Sequence, residues 1–95
     1  MAGYWVVRGS EIRDQDSLQE YGKLWAGIAE RFGAEVIAGK GSIDTREGKS
    51  YPRQLIVRFD SYQQAVDCYE DPEYQRAMAF ALKAYDYREL SILEG

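Results

Sequence analysis

Ninety-five residues, 45% of them hydrophobic and 29% charged, are the composition and length of one ordinary globular domain with a single modest core. A net charge of -4 and a pI near 4.8, with no cluster of Lys or Arg, set the chain against nucleic acid as a partner. No apolar run approaches the roughly 20 residues that a membrane-spanning helix needs, so no membrane role is expected.

The chain contains neither His nor Asn. Without His there is no Ser-His or Cys-His nucleophile pair, no imidazole base, no proximal haem ligand and no His-based zinc site. No metal and no cofactor are therefore expected. The start, MAGYWVVRGSE, lacks a basic region followed by a long apolar segment, and the lone Cys68 cannot form an internal disulfide, so the expected location is cytoplasmic.

In chain order, YWVVRG (4–9) is rich in aromatic and β-branched residues and predicts a strand. Ser17 and Glu20 then form the S-x-x-E pattern of a helix start. In the helix that follows, Leu18, Tyr21, Trp25, Ile28 and Phe32, with Ala29 beside them, fall on one stripe, and Gly33 offers a left-handed cap. AEVIAGKG (34–41) predicts a second strand, SIDTREGKSYP a polar loop, and QLIVRFD (54–60) a third strand.

Ser61 and Gln64 repeat the capping pattern before a helix with Tyr62, Ala65, Val66 and Tyr69 as its stripe. Cys68 lies about 120° from the centre of that stripe at about 100° per residue, with no basic neighbour to form thiolate, and reads as an inert flanking residue. In CYEDPEYQ (68–75), Asp71 is a favoured N-cap, Pro72 suits the first helical position and Glu73 complements the helix dipole. The second helix is thus broken in two. Its latter part carries Tyr74, Ala77, Met78, Ala81, Leu82 and Tyr85 as the buried stripe, and YRELSILE (87–94) closes the chain as a fourth strand.

The order β-α-β-β-α-β predicts an α+β, ferredoxin-like fold with a four-stranded antiparallel sheet, residues 1–95 forming a single domain. Helices cover one face of such a sheet and leave the other open. Here both faces carry apolar residues: Tyr4 and Val6 against Trp5 and Val7, Val36 and Ala38 against Ile37, and Leu55, Val57 and Phe59 against Ile56. An apolar open face marks an interaction surface, and a two-fold homodimer through the sheet faces is the expected partner.

Tyr21 followed by Phe32-Gly33, the loop pair Glu47-Gly48, P-R-x-L-I-V-R-F-D-S, A-x-x-x-Y before D-P-E-Y-Q, and the Leu-Glu-Gly tail together resemble the bacterial family called domain of unknown function 1330. The similarity runs nearly end to end. It implies the dimeric α+β barrel, in which two ferredoxin-like protomers share a barrel. Relatives in that superfamily include cofactor-free monooxygenases, lactone isomerases and haem-dependent dismutases, so the architecture fixes no chemistry. Tyr21, Phe59, Tyr69 and Tyr74 match positions where the family usually shows aromatics. The family often carries an arginine about two turns after the Tyr-Gln pair, where this chain has Ala81. Arg76 or Lys83 would have to replace it.

The candidate ligand-binding residues are Tyr21, Trp25, Arg58, Tyr69 and Tyr74, the aromatic ones lining a cleft between helices and sheet. A phenol near an arginine, Arg58 or Arg8, would donate a proton or steady an oxyanion. For each tyrosine alone a core role outweighs a site role, while eight Tyr in the chain favour a half-wet pocket. Arg58 and Asp60 share a face with Ile56, which makes an interface ion pair their leading role. GKGS (39–42) lacks the spacing of a phosphate loop, and Asp14/Asp16 and Glu70/Asp71 sit at helix boundaries as caps. The function expected is small-molecule binding without catalysis, or an accessory role. The alternative is a metal- and cofactor-independent enzyme acting on a small aromatic or carbonyl compound.

Overall fold

The structure, a computed structural model, describes residues 1–95. Its elements are β1 (Gly3–Gly9), α1 (Gln15–Phe32), β2 (Glu35–Ala38), β3 (Arg53–Phe59), α2 (Tyr62–Glu70), α3 (Pro72–Ala84) and β4 (Arg88–Glu94). The strands form one antiparallel sheet in the order β2-β3-β1-β4. This is the ferredoxin-like arrangement, with the second helix interrupted at Asp71 as its proline predicts.

Alternation assigns the two sheet faces. Across β1, Trp5 lies opposite Val57 and Ile92, and Val7 opposite Leu55 and Leu90. That row meets Ile28 of α1, Ala65 and Cys68 of α2, and Tyr74 and Ala77 of α3 in one core. Trp5 is its centre, 1% exposed, and its indole N–H donates to the Ala65 carbonyl at 3.0 Å, so the ring is buried with no unmatched polar atom. The opposite phase faces away from the helices: Val6 pairs with Ile56 and Tyr4 with Leu93, among Arg8, Gln54, Arg58, Glu89 and Ser91.

Four local expectations are corrected. Helix α1 starts earlier than Ser17, because Asp14 is the N-cap: its carboxylate accepts from the Ser17 N–H at 3.2 Å and from the Ser17 hydroxyl at 3.0 Å. Strand β2 ends at Ala38, since Gly39 takes φ 124° and a Cβ there would stand 2.6 Å from the Gln54 carbonyl oxygen, a geometry only glycine adopts. A shift of register within β2 sets Val36 opposite Val57 but Ala38 opposite Ile56, so these two do not share a face. Leu82 drops out of the α3 stripe at 52% exposure, and Ala84 is buried instead.

Cys68 is not a flanking residue. It lies in the core beside the helices that cover α2 on that side, and burial pushes its thiol up to about 12.

The connection from Gly39 to Pro52 has no regular structure and curls along the open sheet face, where it forms with Val6, Arg8, Leu55 and Ile56 a cleft of about 590 Å³. Lys49 fastens this segment, its ammonium 4.0 Å from the centre of the Tyr87 ring, while Tyr51 donates to Glu89 at 3.2 Å.

Candidate functional site

Among the core aromatic residues, polar tips converge at one point. Helix α1 supplies Tyr21, α3 supplies Tyr74 from its first turn, and β4 supplies Arg88 from its first residue. The two phenol oxygens are 3.3 Å apart, so one hydroxyl donates to the other. Arg88 reaches both: Nη2 donates to Tyr21 Oη at 3.4 Å and Nη1 to Tyr74 Oη at 3.5 Å. Its guanidinium also stands 5.5 Å from the Tyr21 ring centre and 5.9 Å from that of Tyr85.

Local sequence explains the placement. Asp71 accepts from the N–H groups of Glu73 and Tyr74, and Arg31 of α1 donates to it at 2.8 Å, so the start of α3 is fixed against the end of α1. Ser10, buried just past β1, accepts through its hydroxyl from the N–H groups of Asp86 and Tyr87, which sets the turn into β4. Gly9 lies opposite both Arg53 and Arg88. A Cβ at Gly9 would stand 2.8 Å from two carbons of the Tyr85 ring, so the absent side chain lets that ring lie on the sheet between the two arginines. Arg53 Nε donates to Tyr85 Oη at 3.2 Å.

The electrostatics follow from burial. Loss of water pushes the Tyr21 phenol up, with Tyr74 adding to the effect and Arg88 opposing it. The Arg88 guanidinium is raised in spite of its own burial, because the oxygens of Tyr74 and Tyr21 lie against it. Tyr21 here keeps its proton, and Arg88 is the charge. As a chemical device it offers hydrogen-bond donors at the end of an aromatic wall.

Of the residues singled out in the sequence, the fold brings Tyr21, Trp25 and Tyr74 together: the Trp25 ring stacks nearly parallel to Tyr21 at 6.3 Å and edge-on to Tyr74 at 6.1 Å. Tyr69 joins through its ring, 5.5 Å from that of Tyr74, but its hydroxyl points to Met78 Sδ at 3.1 Å. Arg58 is apart from them. It lies on the open sheet face and pairs with Asp60 at 3.2 Å. Ala81 is fully buried, and neither proposed substitute reaches the tyrosines: Arg76 sits 3.9 Å from Glu73, and Lys83 lies near Asp14. The largest cleft is also not between helices and sheet but on the open face.

Arg88 escaped the sequence reading, although a signal was present. It is in phase with Leu90 and Ile92, the buried row of β4, and a charged residue in a buried phase calls for a reason.

A four-stranded sheet covered on one face by helices, with an aromatic and guanidinium cluster between the layers, defines an α+β protein of the ferredoxin-like class. The chain belongs to the family described as Domain of unknown function (DUF1330), which it matches over residues 2–95. Among solved structures it is similar to a protein of unknown function from Rhodopseudomonas palustris, at 15% identity and a TM-score of 0.72, covering 99% of this chain and 82% of that one. It is likewise similar to a dimeric ferredoxin-like protein of unknown function from Jannaschia sp. CCS1, at 15% identity and a TM-score of 0.73 over 100% of both chains. A dimeric protein of unknown function and ferredoxin-like fold from Bacteroides fragilis shares 13% identity at a TM-score of 0.55, over 99% of this chain and 96% of that one. At such identities the likeness shows the fold. No curated protein matches.

Proposed function

We propose that this protein acts as a homodimer, joined through the open faces of its sheets, that holds a small organic molecule without transforming it. The observation that carries the binding half is the convergence of Tyr21, Tyr74 and Arg88, three polar tips on three different elements meeting within 3.5 Å beside the Trp25 ring. Aromatic residues with polar ends suit a pocket that is apolar in its walls and selective at one point. The dimer half rests on the apolar residues of the open face, Val6 and Ile56 on the central strands with Leu93, 51% exposed, on the edge strand β4, and on the dimeric description of two structural neighbours.

Burial pushes the Tyr21 phenol up, so it keeps its proton and makes a poor base, which removes general-base turnover at this hydroxyl. Tyr21→Phe and Tyr74→Phe test the reading. Each should fold as the parent does and lose about tenfold in affinity for whatever small molecule co-purifies, as read by native mass spectrometry. Unchanged retention in both would contradict it, and substrate turnover lost in both would favour the enzyme.

A further inference from the structure

The chain has eight arginines, and five of them, Arg13, Arg31, Arg46, Arg58 and Arg76, stand within 4.0 Å of a carboxylate. Arg88 does not, although it is half-buried and the protein is acidic overall. Its partners are two tyrosine hydroxyls at 3.4 and 3.5 Å, both long for charge-assisted bonds. Arg53, its neighbour across Gly9 in the same row of the sheet, has no carboxylate either and bonds to the Tyr85 hydroxyl.

A guanidinium carries five N–H donors in a planar fork, and Arg88 uses two of them on the phenols. Nε has no bond within the protein, and because no buried polar side-chain atom lacks a partner, Nε is open to solvent. Tyr74 is wholly buried, and when its hydroxyl donates to Tyr21 the proton of the half-buried Tyr21 is left free. A positive fork, a free phenol proton, no acidic residue paired with the fork and aromatic walls are complementary to a planar anion.

We infer that the molecule held at Tyr21, Tyr74 and Arg88 is a small organic carboxylate, its anionic group bonded to the Arg88 fork and to a tyrosine hydroxyl, and its carbon skeleton against Trp25. The inference rests on the small-molecule reading above and specifies its ligand class. Arg53, carried by the next strand but one, extends the same positive end of the sheet.

The test uses benzoate, its neutral isostere benzamide, and inorganic phosphate, each titrated into the intact protein at one ionic strength. Two readouts are followed, tryptophan fluorescence and the Arg88 Nε–H resonance. Benzoate should saturate and shift that resonance, benzamide should bind about tenfold or more weakly, and phosphate should not compete with benzoate. Arg88→Met should cost benzoate about tenfold or more and benzamide much less, and Arg88→Lys, which keeps the charge without the fork, should recover part of the loss. The resonance needs no variant, so the inference stays testable if Arg88→Met fails to fold. Equal binding of benzoate and benzamide, with the resonance unmoved, would overturn the carboxylate and leave the small-molecule reading standing. Binding of phosphate alone would assign the fork to an inorganic anion and overturn it as well. Binding of none of the three would overturn the ligand class and remove the support for the small-molecule reading.

Discussion

Arg88 and Cys68 both sit in surroundings that change their chemistry. Cys68 lies within the core with its thiol pushed up to about 12 by burial, so at neutral pH it is an unreactive thiol. A disulfide reagent at pH 8 should leave the folded protein unlabelled over the time in which the urea-unfolded chain takes up one equivalent. Rapid labelling of the native protein would contradict its placement. Its inertness was legible in the sequence from the absence of a basic neighbour. Its burial was not, because the stripe of α2 was judged on that helix alone, whereas other elements cover the side that holds Cys68. Arg88 was missed for the related reason that one arginine in a strand carries no motif, and its meaning appears only once α1 and α3 deliver Tyr21 and Tyr74 to it.

At the scale of elements, local chemistry was legible wherever a cap or a proline decides. Ser61, Asp71, Pro72 and Gly33 stand where their side chains or dihedrals require. Asp14 was legible as a boundary cap, but the S-x-x-E pattern set the start of α1 at Ser17, and the choice between the two depends on contacts from outside the helix: the N–H groups of Arg13 and Asp14 donate to the Ala84 carbonyl at the end of α3. The end of β2 likewise depends on Leu55 and the Gln54 carbonyl of the neighbouring strand.

Asp71 joins α1 to α3, and its carboxyl is held below the usual range, first by Arg31 and then by the N–H groups of Tyr74 and Glu73. A depressed folded value contributes stability above the unfolded value near 3.8, and that contribution is lost as pH falls through the folded one. Asp71→Asn keeps a good cap without the charge. It should therefore melt below the parent at pH 7, and the gap should close as the pH drops under about 4. A gap that stays constant down to pH 2 would show that the charge at Asp71 does not matter.

At the scale of the whole molecule, the two faces of the sheet divide the work. The inner row of Trp5, Val7, Val57 and Phe59 holds the helices, and the outer row faces away from them, with Val6 and Ile56 lining the cleft that the segment around Ile43 forms and Leu93 half exposed beyond it. Strand alternation made both rows legible in the sequence. The location of the largest cleft was not legible, because it depends on the path of residues 39–52, which carry no periodicity. If the outer row is a contact between protomers, Ile56→Lys, which places a charge in its middle, should yield a folded monomer at micromolar concentration.

The measurement that tests this account most directly is native mass spectrometry of the unmodified protein beside Ile56→Lys. The account predicts twice the 10.9 kDa protomer mass for the parent and a single protomer for the variant. A parent that flies as a monomer across the micromolar range, or a variant that stays dimeric, would contradict the assignment of the open sheet face as the surface that joins two copies.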